Sequence, residues 1–338
     1  PYGPKLGPIG MIETLEAAKA HPHYSAPLGP NQGRGIASGF WFNIGGETSS
    51  SITINEDGTV GLTLGTTDIG GSRASMAMMA SEELGVPMDL IKPVIGDTNS
   101  LGFNFLTGGS RATFSTGMTV VRSTREAIEE LKKRAALLWE VDLNQVEWVD
   151  GHARLIAGDE PKTMSLAQIA KQAGKTGGPI MANCSMNVTG AGPSLGTHIV
   201  DVEVDTETGK VSIVRYTAIQ DAGKAIHPAY VEGQMQGGAV QGIGWALNEE
   251  YIYNDKGELE NTGFLDYRIP VCSDVPMIDT VIVEVPNPNH PYGVRGVGET
   301  PIIPPLAAIS NAVSRATNIR FNELPLSPPK VLAKLMHG

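Results

Sequence analysis

The chain has 338 residues, 41% of them hydrophobic and 18% charged, with a formal net charge of −11 at pH 7. Single cores stop growing near about 250–300 residues, so the length predicts two lobes of an ordinary folded protein. The acidic balance excludes the basic footprint of a nucleic-acid binder, and no run of about 18 apolar residues is present to span a membrane.

Residues 1–45 read as an approach segment: a short helix in MIETLEAAKAHPHY, then a loop through SAPLGPNQG. His21 and His23 flank Pro22 there and read as structural residues of a surface loop. The first hairpin is SSSITINEDGTVGLTLGTT, in which Ile52 and Ile54 alternate with polar residues, Asp57-Gly58 marks the turn, and Val60, Leu62 and Leu64 resume the alternation. A helix is predicted over 73–84, stopped by Gly85 and Pro87, and IKPVIGDT reads as a strand. The spacing of Val121, Ile128, Leu131, Ala135 and Leu138 predicts a long helix over 115–138.

VEWVDGHARLI is another hairpin, turning at Asp150-Gly151, and SLAQIAKQAG is a short helix ended by Gly174. The glycines and proline of GKTGGPIMANCS mark a candidate lobe boundary. A second long hairpin, IVDVEVDTETGKVSIVRYTAIQDAG, turns between Asp205 and Lys210. A helix over 228–250 follows, then a strand in TVIVEVPN, then a last helix in PPLAAISNAVSRAT with Leu306, Ile309, Val313 and Ala316 on one face. Each long hairpin is followed by a loop and a helix in Gly-rich surroundings, which suggests a duplicated unit. Strands and helices mix without regular βαβ alternation, so the expected class is α+β with mixed sheets. The expected segments are 1–45, a first lobe over 46–180 and a second over 181–338.

Cys184 and Cys272 stand far apart in no metal or redox spacing, which argues against a disulfide framework and a zinc or iron–sulfur site here. The seven histidines show no ligand spacing. The opening PYGPKLGPIG lacks a signal-peptide layout. A cytoplasmic protein is expected, and without an initiator Met the chain is expected to belong to a longer product or a split subunit.

Four stretches could carry chemistry. In EGQMQGGAVQGIG, each helical glycine costs about 1 kcal/mol relative to alanine. Gly233, Gly237, Gly238, Gly242 and Gly244 therefore mean either close packing or a polar heterocycle lying on bare backbone, read by Gln234, Gln236 and Gln241. LTGGSRATFSTG sets Thr107, Gly108, Gly109, Ser110 and Thr113 before a helix, as a hydroxyl cap or as a phosphate cradle. TTDIGGSRAS repeats that pattern at Gly70 and Gly71. In GVGETP, Glu299 is either a helix-start acid, with Thr300 as cap and Pro301 as first helical residue, or a carboxylate held to move a proton. No GxSxG, P-loop or dinucleotide fingerprint is present.

In family order, GTTDIGGSRAS, ELGVP with GDT, GGSRATFSTG, IVDVEVDTETGKV, QDAGKAIHPAYVEGQMQGGAVQGIG, LDYRIP, GVRGVGETP and LPLSPPKVL resemble the molybdenum hydroxylases. These are the xanthine dehydrogenases, aldehyde oxidoreductases, carbon monoxide dehydrogenases and nicotinate dehydrogenases. The similarity is to the C-terminal half of their molybdopterin-binding subunit. It implies that Glu299 is the general base that deprotonates a Mo–OH group, so that its oxygen attacks an electron-poor carbon while hydride passes to a sulfido (in rare members selenido) ligand.

It also implies cofactor contacts at Gln234, Gly70, Gly71, Gly109, Ser110, Ala112, Gly237 and Gln241. The molybdenum would be held by the pterin dithiolene and by no protein side chain. The implied cofactor is molybdopterin with molybdenum, as a cytosine dinucleotide. The implied partners are the other half of the molybdenum subunit, a [2Fe–2S] subunit and an FAD subunit. The implied substrate is a purine- or nicotinate-like heteroaromatic or an aldehyde, hydroxylated with oxygen from water. Many relatives have Gly-Gln-Gly where this chain has Gly70-Gly71-Ser72, so one side-chain contact is lost or replaced, and the family's first molybdenum-binding half is absent. A cofactor-holding subunit without chemistry and an unrelated phosphate-ligand binder are the alternative readings.

Overall fold

The computed structural model describes residues 6–156 and 161–337. Two compact units divide the chain, the first made of Pro1–Phe42, Gly192–Asn287 and Arg295–Gly338, the second of Asn43–Ala191 and Pro288–Val294. In chain order the first unit opens with α1 (Met11–Ala20), α2 (Pro22–Ser25) and β1 (Gln32–Trp41). The second unit holds β2 (Gly46–Ile54), β3 (Val60–Leu64), α3 (Ser72–Leu84), β4 (Ile91–Ile95) and α4 (Gly117–Trp139). It continues through β5 (Val146–Val149), β6 (His152–Leu155), β7 (Thr163–Ser165), α5 (Leu166–Lys171), α6 (Ala173–Thr176) and β8 (Ile180–Val188). The first unit then resumes with β9 (Ser194–Val204), β10 (Val211–Asp221), α7 (Pro228–Leu247), β11 (Ile278–Val283), α8 (Ile303–Thr317) and α9 (Pro328–His337).

The first unit is built on a sheet of order β1-β9-β10-β11, with β11 parallel to β10 and the other pairs antiparallel. Its core joins Val200 and Val202 of β9, Tyr216 and Ala218 of β10, Met235 and Ala239 of α7, and Ile309 and Val313 of α8. The opening segment is thus no mere approach. Residues 32–41 supply a sheet strand whose alternating signal is carried by Gly33, Gly35 and Gly39, not by large apolar side chains. Glycine is needed there because α8 lies against the strand: a Cβ on Gly33 or Gly35 would run into the carbonyl of Ala312 or Ala308. Gly35→Val should lower stability by about 1–3 kcal/mol through overpacking against helix backbone, read as a lower denaturant midpoint at unchanged slope.

The surface loop expected around His23 is also corrected. His23 is 2% exposed, with Nδ1 2.8 Å from Thr217 Oγ1 and Nε2 3.1 Å from Asp201, which Arg34 grips at 2.8 Å through both Nε and Nη2. Pro22 begins a helical turn and places His23 inward. PPLAAISNAVSRAT is not the last helix, because Pro328 opens α9, which buries Val331.

The second unit repeats the plan. Its sheet runs β4-β3-β2-β8, with β4 parallel to β3. Asp150 (φ 49) and Gly151 (φ 73) make the left-handed pair of a two-residue hairpin between β5 and β6, in a small three-stranded sheet. Ser165 and Gln168 form a capping box at α5. Gly174 does not end that helix; it lies within α6, and Gly177 (φ 125) is the residue that stops the chain's helical course. The expected boundary GKTGGPIMANCS runs directly into β8, whose Ile180, Ala182 and Val188 point inward and which pairs with β2.

In both units the order is hairpin, helix, parallel strand, irregular turn, long helix. The fourth strand comes from opposite sides in sequence: β8 follows its hairpin, whereas β1 precedes its own. The turn Thr300–Ile302 before α8 therefore stands in its unit where the turn Ala112–Thr116 before α4 stands in the other.

Candidate functional site

In the second unit, Gly70 (φ 61) and Gly71 (φ 76) make a left-handed corner that starts α3. The helix end there is already used: Asp68 Oδ1 accepts the Arg73 N–H at 2.9 Å, and Asp68 pairs with the Arg73 guanidinium at 3.1 Å. A carboxylate, not a hydroxyl, thus occupies this helix start. Gly70 is exposed and Gly71 half-buried.

Gly109 (φ 63) and Ser110 (φ 54) make a second left-handed corner. The Gly109 carbonyl accepts Ile44 N–H at 3.0 Å, and a Cβ on Gly109 would strike the Ile44 side chain. The corner is braced by Arg111, 2% exposed, which donates to the carbonyls of Gly45 (2.5 Å), Glu47 (2.6 Å) and Phe105 (3.0 Å). Burial pulls the Arg111 pKa down, and each of its three guanidinium nitrogens donates to a main-chain carbonyl, so this cation serves as a brace. Ala112 opens a π-helical turn, Ala112–Thr116, before α4. Such wide turns recur at functional sites. Thr116, directly before α4, has helical backbone and no side-chain cap bond.

In the first unit the five glycines of α7 separate into two sets. A Cβ on Gly238 would meet Pro301, one on Gly242 would lie 2.6 Å from Ile302 O and from Pro305 Cγ, and one on Gly244 would meet Glu249 and Pro270. Those three serve close packing. Gly233 and Gly237 have nothing within 4 Å of a built Cβ, so their bare backbone faces open space. Gly233, Gly237 and Gln241 recur every four residues, and half-buried Gln234 lies three before Gly237, which puts all four on one stripe. Gln236 is excluded from the stripe because its Nε2 donates to the Ile278 carbonyl at 3.1 Å. The same spacing extends the stripe to Tyr230 (42% exposed) and Trp245 (43% exposed), which the sequence reading passed over although both lie four residues from stripe positions.

The GVRGVGETP segment is fixed from behind. Buried Arg295 lies 3.2 Å from Asp221 and donates to the carbonyls of Val285 and Pro193 at 3.0 Å each, and to that of Pro8. Gln220 Nε2 donates to the Val297 carbonyl at 3.1 Å. Glu299 is half-buried at the position before the turn Thr300–Ile302, and its carbonyl accepts Ile302 N–H at 3.2 Å. Thr300 is not the cap that the sequence suggested. Its hydroxyl is buried beneath the turn, Pro301 is the second residue of that turn, and the Glu299 side chain makes no cap bond. Pro301 packs on Gly238, which ties the Glu299 turn to α7.

Among the described residues no group of three or more His, Cys, Asp or Glu could hold a metal ion, and no helix is long and apolar enough to cross a membrane. The family model of the molybdopterin cofactor-binding domain matches residues 13–276. The chain belongs to that family.

This molybdopterin cofactor-binding domain is 34% identical over 286 residues to a putative xanthine dehydrogenase molybdenum-binding subunit of Escherichia coli, an alignment covering 83% of this chain and 38% of that protein. It is 31% identical over 296 residues to the nicotine 6-hydroxylase large subunit of Paenarthrobacter nicotinovorans, covering 84% of this chain and 36% of that one. The chain thus spans well under half the length of these relatives. Its fold matches the CO dehydrogenase of Oligotropha carboxidovorans with a TM-score of 0.81 at 23% identity, over 97% of this chain and 43% of that one. It matches the aldehyde oxidoreductase of Desulfovibrio desulfuricans with a TM-score of 0.72 at 26% identity, over 96% of this chain and 34% of that one. The mixed α+β class read from the sequence is the class observed.

Proposed function

We propose that this chain is the part of a molybdenum hydroxylase's catalytic subunit that holds the molybdenum pterin and supplies the general base. The observation that carries this reading is in the first unit. The bare stripe of α7, with amides at Gln234 and Gln241, and the Glu299 turn are braced on each other through Gly238 and Pro301. The fit to the cofactor is chemical. A flat pterin needs a surface without side chains, which Gly233 and Gly237 provide, and neutral donors and acceptors at its edges, which Gln234 and Gln241 provide. In the second unit, Gly70, Gly71, Gly109, Ser110 and Ala112 carry the further cofactor contacts that the resemblance implies. When bound, the group supplies the two-electron redox centre that the side chains of this chain lack.

Glu299 takes the proton released as water-derived oxygen is transferred to an electron-poor carbon of a heteroaromatic or aldehyde. The remaining part of the large subunit supplies the other wall of the site, and [2Fe–2S] and FAD subunits carry electrons away. The pterin is the cytosine dinucleotide form. The test is metal and nucleotide analysis of the purified assembly: equimolar molybdenum, and CMP after acid hydrolysis, are expected. Absence of both would leave a phosphate-ligand binder that reuses glycine-rich helix starts.

A further inference from the structure

Behind the Glu299 turn, the first unit buries three polar side chains whose bonding is incomplete. His198 of β9 is fully buried; its Nδ1 lies 2.8 Å from the Tyr216 hydroxyl, and its Nε2 has no hydrogen-bond partner among the described residues. Gln220 of β10 donates from Nε2 to Ser194 Oγ (3.2 Å) and to Val297 O (3.1 Å), while its Oε1 has no partner among the described residues. Thr300 follows Glu299 directly, is 0% exposed, and its Oγ1 likewise has none.

Gly196 gathers these groups. It stands two residues before His198 on β9, hence on the same face, and it pairs directly with Gln220. A Cβ built on it would lie 3.5 Å from Thr300 Cγ2 and 3.7 Å from His198 Nε2. Buried polar atoms are nearly always satisfied, by protein or by an ordered water that makes about three bonds. His198 Nε2 lies near this glycine, Thr300 turns its methyl to it and Gln220 is its cross-strand partner, so the three incomplete groups are neighbours.

We propose that His198 Nε2, Gln220 Oε1 and Thr300 Oγ1 hold one internal water beside Gly196, and that this water positions the Glu299 turn. With the Tyr216 hydroxyl donating to Nδ1, the His198 Nε2–H donates to the water. The water donates to Gln220 Oε1 and exchanges its remaining bond with Thr300 Oγ1. Burial pulls His198 down to about 3, so the ring is neutral at working pH and the site takes a neutral ligand, not an anion. Gln220 then holds the residue two before Glu299 and the water holds the residue after it. His198, Gln220 and Thr300 are positioning residues, and this half of the proposal rests on Glu299 being the base.

The test uses the complete assembly. Thr300→Val keeps the side-chain shape and removes the hydroxyl. If the hydroxyl bonds a water, the variant should melt about 2–4 °C lower; if the hydroxyl is unsatisfied, valine removes a burial penalty and the melting temperature rises, which overturns the proposal. A high-resolution crystal structure should show a water within hydrogen-bond distance of Nε2 and Oγ1 in the wild type and in Thr300→Ser. That water should be absent in Thr300→Val and in Gly196→Ala, whose methyl takes its place. No water in the wild type overturns the proposal. Thr300→Val should lower kcat about 10-fold at unchanged KM and molybdenum content, with Thr300→Ser restoring it. Unchanged kcat with the water lost would overturn the positioning role. Failure of the base assignment is separate: it would show as a fully active Glu299→Gln enzyme in which the water is still in place.

Discussion

Glu299→Gln should leave molybdenum and pterin content intact and lower turnover by about 10²–10⁴-fold, the range that a positioned general base supplies. Glutamine keeps the size and shape of the side chain but cannot take a proton. The turn should survive the change, because several contacts away from the carboxylate shape it. Pro301 seats on Gly238, Arg295 and Gln220 anchor the segment before it, and the Glu299 side chain makes no cap bond. KM should therefore move little, since uniform binding is untouched. Steady-state kinetics run beside metal analysis of the same preparation is the measurement. Near-normal turnover at full molybdenum content would remove the base assignment and leave a chain that holds the cofactor without doing chemistry.

That separation of shape from charge is what the sequence could not supply. GVGETP reads locally as an acid stabilising a helix start, and only the structure shows that the helix start is made by prolines packed on glycine, with the Thr300 hydroxyl turned inward. The glycines of α7 were legible as a group but not one by one. Composition says that five of them weaken the helix; position says that Gly238, Gly242 and Gly244 admit neighbouring residues of the same unit while Gly233 and Gly237 leave backbone bare. The hairpins, α3, α4 and α7 were legible because alternation, helical spacing and turn glycines all agree there. β1 was not, because its inward positions are glycines chosen to admit α8 and carry no hydrophobic signal. β8 was hidden by the glycines and proline before it, and α9 by the prolines that begin it.

The duplicated hairpin-and-helix unit was also visible in outline, and its structural form sharpens what the two irregular turns have in common. In each unit the chain leaves a parallel edge strand and must re-enter a long helix, and in each the re-entry is irregular: a π-helical turn at Ala112–Thr116 and a 3₁₀ turn at Thr300–Ile302. Regular α-helical starts would hide their first N–H groups behind ordinary caps. These irregular ones are held from behind by buried cations, Arg111 in one unit and Arg295 in the other, both with guanidinium groups directed at backbone carbonyls. Neither arginine announces itself in the sequence, since the partners are main-chain carbonyls and, for Arg295, also Asp221.

Asp221→Asn should lower the stability of the chain by about 3–5 kcal/mol, the cost of leaving one partner of a buried ion pair uncompensated. Asp221 ends β10 and is 0% exposed. Its Oδ1 accepts N–H groups from Gly223 (2.9 Å) and Val285 (3.0 Å); its Oδ2 accepts from Gly10 (3.0 Å) and lies 3.2 Å from Arg295 Nε. Burial pushes this carboxyl above its ordinary value, but all four neighbours are donors and favour the ionised form. Asparagine has nearly the same shape and fails for a geometric reason. It offers one oxygen and one NH₂, so either rotamer turns an N–H toward two N–H donors. One rotamer sets the amide against Gly10 and Arg295, the other against Gly223 and Val285. Against a typical domain stability of about 5–15 kcal/mol, the loss leaves little margin. Urea unfolding of the soluble fraction should show a lower midpoint at unchanged slope, together with a lower soluble yield. Arg295→Lys should recover much less than its charge suggests, because a single ammonium cannot reach Val285, Pro193 and Asp221 as the guanidinium fork does. An unfolding free energy within about 0.5 kcal/mol of the wild type for Asp221→Asn would show that this cluster does not hold the segment leading to Glu299.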